Sequence, residues 1–216
     1  YLMGEAPEVK NFYLATGLNS TGIAAAPGVG KAMAEWIVNG APTMDLWEVD
    51  IKRFHAFQGT KKYLHDRTVE TVGTLYDKLD PPRQMESARG ARTSPLHDRI
   101  ANLGACFGEV TGFERPMWYA PPGHSPKYHY SFGRQNWFEY SANEHQAVRE
   151  TVGLFDQTSF GKLLLQGTDS ESVAQKIFAG DLGVEPGTVV YTGMLNERGG
   201  FEADLTVTRT AEDQYL

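Results

Sequence analysis

An α+β fold is predicted by three patterns in the sequence. Residues 28–38 place Val29, Met33, Trp36 and Ile37 at helical spacing, one apolar face on a polar background. Residues 189–195 and 201–209 alternate apolar and polar around the glycine-bearing turn Asn196-Glu197-Arg198-Gly199-Gly200, a β-hairpin signature. Between them, a strand over Lys162–Gln166 runs through Gly167-Thr168-Asp169 into a helix over Ser170–Phe178. The 216 residues give room for one or two domains with a real core.

The elements follow in order. Met3 to Pro7 reads as turn material. Phe12–Thr16 is rich in strand formers, and Gly17 closes it. A small, glycine-rich run from Leu18 to Gly30 leads into the first helix, expected from about Gly28 to Val38. Asn39-Gly40 stops it and Pro42 prevents continuation. Asp50–Leu79 reads as mostly helical, broken by Asp80-Pro81-Pro82. Leu96–Phe107 reads as a helix with Ser94 as N-cap and Pro95 at its first position. Arg115–Gly133, dense in Pro, Gly and aromatics, reads as an ordered connector with little regular structure. A short helix is expected over Glu144–Val152. The helix from Ser170 gains its N-cap from Thr168 or Asp169, whose oxygens accept from the free N–H groups of the first turn.

Composition excludes several classes. The chain is 41% hydrophobic and 22% charged, which is globular rather than disordered. No apolar run approaches the ~18 residues a membrane helix needs. A net charge of −7 argues against a nucleic-acid surface, which calls for a basic excess. One cysteine, Cys106, excludes an internal disulfide and a multi-cysteine metal site, and reads as a small core residue. The chain starts at Tyr1 without a signal or transit segment and stops after a strand-like run, so an internal fragment is expected. Charge steps along the chain: residues 1–52 carry 3 basic and 6 acidic side chains, 53–135 carry 12 and 8, and 136–216 carry 5 and 13. Such steps suggest segments with different tasks.

Few motifs carry chemistry. Gly28-Val29-Gly30-Lys31 lacks the phosphate-loop pattern, since Ala25 and Ala32 stand where Gly and Ser or Thr belong. The dinucleotide pattern fails at Met33. A small-residue loop entering a helix N-terminus still lets backbone approach a ligand and favours partial negative charge. Tight strand–helix packing needs the same small residues, and spacing alone leaves both open. His124 and His129 have no standard metal spacing, and no metal is expected. The aromatics Trp118, Tyr119, Tyr128, Tyr130, Phe132, Trp137, Phe138 and Tyr140 read as an interdomain core or as the lining for a ring-shaped ligand. In the last strand, alternation puts Phe201, Ala203, Leu205 and Val207 on one face and Glu202, Asp204, Thr206 and Thr208 on the other. That polar face could hold a nitrogen heterocycle, or simply meet solvent.

The words themselves resemble a known family. Tyr1-Leu-Met-Gly-Glu-Ala-Pro-Glu8, Asn11-Phe-Tyr-Leu-Ala-Thr-Gly17, Gly22-Ile23 and Gly28-Val-Gly30 with Ala34-Glu-Trp-Ile37 resemble the C-terminal end of a glycine-oxidase-type FAD domain. Arg92-Thr-Ser-Pro-Leu96, Gly112-Phe-Glu-Arg-Pro116 and Asn136-Trp-Phe-Glu139 resemble a central connecting domain. Gly153-Leu-Phe-Asp156 to Lys162, and Tyr191 to Asn196 with Gly199-Gly200 and Asp204-Leu205, resemble the start of a T-protein (aminomethyltransferase) domain. The order is that of the dimethylglycine and sarcosine dehydrogenase family. The resemblance implies an FAD-domain end over 1–52, a connecting domain over 53–135 and a truncated folate-binding domain over 136–216.

It also implies a function. FAD takes hydride from the methyl carbon of an N-methylated glycine, dimethylglycine or sarcosine, and tetrahydrofolate captures the one-carbon unit at a second site. Gly22, Ile23 and a helix start at Gly28 would lie by the flavin ring, where the helix N-terminus stabilises negative charge. Tyr191 would contact the pterin, and Asp204 would act near its reacting nitrogens as the catalytic carboxylate. The electron acceptor would be an electron-transfer flavoprotein or O2. The compartment would be the cytoplasm in a bacterium and the mitochondrial matrix in a eukaryote. The pyrophosphate loop and flavin-attachment histidine of the family do not occur here, so the fragment alone is expected to be inactive. Phe160 stands where the T-protein pattern often has Met. A non-catalytic relative resembling the pyruvate dehydrogenase phosphatase regulatory subunit shares the layout and is the alternative. A third reading keeps the flavin enzyme, makes the folate domain vestigial and releases formaldehyde.

Overall fold

The structure, a computed structural model, describes residues 1–74, 77 and 82–216. Helices and strands are mixed, as the α+β expectation requires. The chain forms two compact units, Tyr1–Gly153 and Leu154–Leu216.

The first unit opens with strand β1, Leu2–Glu5, where turn material was expected. It pairs antiparallel with β2, Tyr13–Thr16, so that Leu2 faces Thr16 and Glu5 faces Tyr13. Its Met3 N–H donates to the Val49 carbonyl at 2.8 Å. Helix α1 spans Gly22–Asn39 and ends on Gly40 at φ 75°. It starts six residues before the expected Gly28. Proline inside a helix costs roughly 3 kcal/mol, which is why Pro27 reads as a boundary. Here Pro27 sits inside the helix, and the run Ala24-Ala25-Ala26, the best helix former, carries it N-terminally. Met3, Ala32, Met33 and Trp36 form the core of this part, with Tyr13, Val29, Leu46 and Val49 packed on it.

The described part of the stretch expected to be helical over Asp50–Leu79 is less helical than expected. Two 3₁₀ turns, Ile51–Arg53 and Ala56–Gly59, precede helix α2, Lys61–Thr74. The expected break falls at Asp80 and Pro81, outside the described residues, and at Pro82, which has no regular structure. Helix α3 is only His97–Asn102, with Leu96 rather than Ser94 at its N-cap. Gly104 then takes φ 88°, a left-handed stop, and the rest of the expected helix is strand β3, Ala105–Val110. β3 pairs antiparallel with β4, Phe113–Tyr119, which occupies the start of the expected irregular connector. The turn between them, Thr111-Gly112, has φ 50° and 83°, both positive as a two-residue hairpin turn of the primed type requires.

The hairpin's back is built on charge. Glu114 is buried and accepts from Arg89 Nε at 2.9 Å, Arg89 Nη2 at 2.5 Å and the Gly90 N–H at 2.6 Å. Arg67 Nη1 donates to Glu109 at 3.0 Å and Nη2 to the Ser87 carbonyl at 3.1 Å. Cys106, Trp118 and Ala120 form the apolar core here, covered by Tyr128, Trp137 and Tyr140. Helix α4, Phe138–Glu150, starts six residues earlier than expected.

The second unit begins with an irregular stretch. Lys162 Nζ gathers the carbonyls of Gln157, Thr158 and Phe160 at 2.8–3.1 Å. The expected strand over Lys162–Gln166 is reduced to β5, Leu165–Gln166. Helix α5 spans Ser170–Ile177, and Asp169 stands at its N-cap without a side-chain capping bond. β6, Val189–Leu195, β7, Phe201–Ala211, and β8, Gln214–Tyr215, complete a four-stranded sheet in the order β5-β8-β7-β6. Ala174, Leu182, Val207 and Tyr215 form its core, with Leu165, Phe178, Val190 and Leu205 around them. The expected hairpin forms: β6 covers the expected residues, and β7 runs two residues past the expected Arg209.

Candidate functional site

The β6–β7 hairpin brings Tyr191 and Asp204 together. Register places Tyr191 opposite Thr206 and Gly193 opposite Asp204, so the Tyr191 and Asp204 side chains are diagonal neighbours on one face. The Tyr191 hydroxyl donates to Asp204 Oδ2 at 2.7 Å. That bond, and the nearby negative charge, raise the phenol pKa above its ordinary value. Tyr191 is 71% exposed, and Asp204 is also exposed. The opposite face carries Val190, Thr192, Leu205 and Val207 into the core. An exposed carboxylate with a neutral phenol at its side can accept from N–H groups of a heterocycle, which is the chemistry a pterin requires.

The position of β6 is fixed from its other edge. The buried Thr192 hydroxyl accepts from the Gly180 N–H at 2.7 Å, and the Ala179 N–H donates to the Gly193 carbonyl at 2.9 Å. These bonds tie β6 at Thr192 and Gly193 to the segment that follows α5.

One residue lies on the other side from that expected. The ladder pairs Met194 with Ala203 but Leu195 with Phe201, so Glu202 is an extra residue, a β-bulge. Simple alternation puts Phe201 with the core-facing Ala203 and Leu205. The bulge turns it instead onto the face of Tyr191 and Asp204. A Cβ placed on Gly193 would lie 2.6 Å from Phe201 Cε2, so the ring covers the glycine directly beside Asp204. Phe201, Gly193 and Asn196, which the sequence reading did not name as candidate residues, surround the Tyr191–Asp204 pair. The signal was the close sequence of Gly193, Asn196, Gly199 and Gly200, which marks a bulged turn rather than a simple one.

The residues expected at a flavin behave differently from one another. Gly22 is the first residue of α1, and Ile23 is 98% exposed. Gly28 lies inside the helix, about 9 Å along its axis from Gly22 at 1.5 Å per residue. It is therefore not at a helix N-terminus, and the partial charge expected at Gly28 belongs at Gly22 to Ala24. Thr21, at the N-cap, makes no side-chain capping bond, and the first turn has no acidic residue. Gly28 and Gly30 have no neighbour within 4 Å of an added Cβ. The surface at Gly28 and Gly30 is therefore open, with no free helix N–H groups of its own.

The remaining candidates are structural. Cys106 is buried, and burial raises its thiol pKa. The aromatic residues split: Trp118 stacks on Tyr140 at 5.7 Å inside the core, while Phe132 is exposed. His97 stacks on Phe107 at 4.5 Å, and His124 meets the edge of Tyr140 at 5.7 Å. Among the described residues, no helix is long and apolar enough to cross a membrane.

Comparison with known proteins places these features. Residues 96–216 match the family model of the GCVT N-terminal domain, and residues 39–94 match that of the FAD dependent oxidoreductase central domain. The class is therefore a fusion of an FAD-dependent oxidoreductase with a T-protein-like domain. A 4-methylaminobutanoate oxidase (formaldehyde-forming) of Paenarthrobacter nicotinovorans is 48% identical over 100% of this chain and 26% of its own length. The pyruvate dehydrogenase phosphatase regulatory subunit of Mus musculus is 36% identical over 100% of this chain and 25% of its own. The sarcosine dehydrogenase of Homo sapiens is 35% identical over 97% of this chain and 26% of its own. The chain belongs to the dimethylglycine and sarcosine dehydrogenase family. It spans about a quarter of the length of the curated relatives it matches.

Proposed function

We propose that the full-length protein oxidatively demethylates an N-methylated amino acid, dimethylglycine or sarcosine, and passes the one-carbon unit to tetrahydrofolate. The carrying observation is the Tyr191–Asp204 hydrogen bond on an exposed strand face within the GCVT match. Asp204 accepts from the N–H groups of the pterin and orients its reacting nitrogens. Tyr191, hydrogen-bonded to that carboxylate, packs at the pterin's side. FAD would supply the oxidising equivalents, and Gly22 and Ile23, at the start of α1, with Gly28 further along the helix, would lie on the side of its ring. We keep the division at 1–52, 53–135 and 136–216 as the proposed domain plan, and an electron-transfer flavoprotein or O2 as the proposed acceptor.

A second reading has its own support. The relative at 48% identity is named for a larger N-methylated acid and for formaldehyde. On that reading the substrate is 4-methylaminobutanoate and the product is free formaldehyde.

The test is an anaerobic titration of the full-length protein with each of the three amines, followed by flavin absorbance, then addition of tetrahydrofolate. Bleaching by dimethylglycine or sarcosine, with methylenetetrahydrofolate as product, supports the first reading. Bleaching with only formaldehyde removes the folate role of Tyr191 and Asp204. Flavin that no amine reduces overturns both and favours a regulatory relative.

A further inference from the structure

Resting on that folate reading, we infer that Phe201 is the platform against which the pterin lies, set beside Asp204 by the β-bulge and held there by Asn196. The ring is 67% exposed, yet it is not loose. It lies across Gly193, with Cε2, Cζ and Cδ2 at 2.6, 3.3 and 3.4 Å from where a Cβ would stand. Gly193 sits opposite Asp204, so the ring and the carboxylate are immediate neighbours. Leu195 and Tyr191 continue the same face on either side. The result is an apolar, flat surface next to a hydrogen-bond acceptor, the two elements that a planar heterocycle with N–H donors needs together.

Asn196 is the positioning residue. Its N–H donates to the Gly200 carbonyl at 2.9 Å, and its Oδ1 accepts from the Gly200 N–H at 2.8 Å and from the Arg198 N–H at 3.0 Å. Its Nδ2 donates to Glu202 Oε1 at 2.7 Å. One side chain thus ties the turn to the bulged residue, and the bulge decides which face Phe201 takes. Gly200 leaves room for this, since its own Cβ would fall 2.7 Å from Asn196 Nδ2.

A ring over a cross-strand glycine also shields bare backbone. Shielding alone changes stability and leaves folate affinity untouched, so affinity separates the two roles. The experiment is calorimetric titration of the full-length protein with 5-formyltetrahydrofolate. Phe201→Leu keeps apolar bulk and loses the ring, and is expected to weaken binding at least about fivefold, as loss of base–aromatic stacking does. Phe201→Tyr keeps the ring and is expected to stay within about twofold, since its aromatic face is retained. Gly193→Ala pushes the ring aside and weakens binding in the unaltered protein, but not in the Phe201→Leu background. Phe201→Leu binding like the unaltered protein, while Asp204→Asn loses binding, would overturn the platform and leave the folate reading intact. An unaltered protein that does not bind the probe overturns the folate reading itself.

Discussion

Replacing Glu114 by Gln should loosen the β3–β4 hairpin far more than any exposed charge would. Glu114 sits in the GCVT match and Arg89 in the central-domain match, so their contact ties the two matched segments inside one compact unit. The carboxylate accepts three hydrogen bonds, two from Arg89 and one from the Gly90 N–H. Glutamine retains one acceptor and turns an NH₂ toward the guanidinium. Breaking a fully buried pair costs roughly 3–5 kcal/mol. The Arg89 side chain keeps 29% exposure and also donates to the Phe107 carbonyl, so its stranded charge is partly solvated. The expected loss is therefore about 2–3 kcal/mol, toward the lower end for a charge pair. Hydrogen exchange of the amides of residues 105–119 in the full-length protein reads this directly. Exchange there should quicken about 30- to 150-fold, at 1.4 kcal/mol per tenfold. A change below about threefold would refute the reasoning, because it falls inside the range of an exposed pair. The acid side gives a second readout. Burial would raise the Glu114 pKa, but the bonds from Arg89 and Gly90 outweigh it and hold the value below the ordinary glutamate range. A depressed carboxylate stabilises the fold above its unfolded pKa, and that contribution disappears as pH falls through the folded value. Glu114→Gln should flatten this acid-side loss of protection.

Four further outcomes follow from the geometry. Ultraviolet titration of the Tyr191 phenol should show a pKa above the ordinary tyrosine value that drops in Asp204→Asn; an unchanged titration means the bond to Asp204 is not made in solution. Gly4→Ala should destabilise the first unit by about 2–4 kcal/mol, from overpacking and backbone strain together, since its Cβ meets Trp36 Cη2 at 2.5 Å and its φ is 106°. Gly28→Ala, with nothing within 4 Å, should instead stabilise α1 by up to about 1 kcal/mol, and urea unfolding that gives both changes the same sign would contradict this placement. Cys106 should resist thiol reagents in the native protein and react on denaturation, because it is buried and its thiol pKa is raised by burial; stoichiometric native labelling would show that its pocket opens.

What the sequence revealed of the fold depended on how local the determining physics is. The β6–β7 hairpin was legible because alternation, glycine-bearing turn and strand length agree within about twenty residues. β1 was not, since Leu2–Glu5 contains Gly4 and becomes a strand only by pairing with β2 and donating to Val49. Leu96–Phe107 reads as one helix until Gly104 takes its left-handed conformation and hands the chain to β3. Pro27 misplaced the start of α1 for a similar reason: its local preference is real, but the alanine run before it and the packing of Val29, Met33 and Trp36 after it outweigh the cost. Only the β1 error turns on partners outside the segment; at Gly104 and Pro27 one local preference outweighs another.

The site divides along the same line. Tyr191 and Asp204 are linked in the sequence by the family resemblance, while the register that makes them neighbours on one face is read from the structure. Phe201 could not be placed from sequence, because a single extra residue reverses the face of everything beyond it, and a period of two has no means of announcing where it is broken. Asn196 holds that break with both ends of its amide, using the Gly200 backbone on one side and Glu202 on the other. The consequence is that two residues outside the Tyr–Asp pair decide what the face offers: without the bulge Phe201 would point toward the side of Leu205 and Val207, and Asp204 would stand beside bare glycine. A carboxylate in that setting would meet solvent like any other on a sheet surface. With the bulge it stands at the rim of an aromatic floor. On the proposed folate reading, that is the difference between a polar strand face and a surface suited to a flat, hydrogen-bonding ligand.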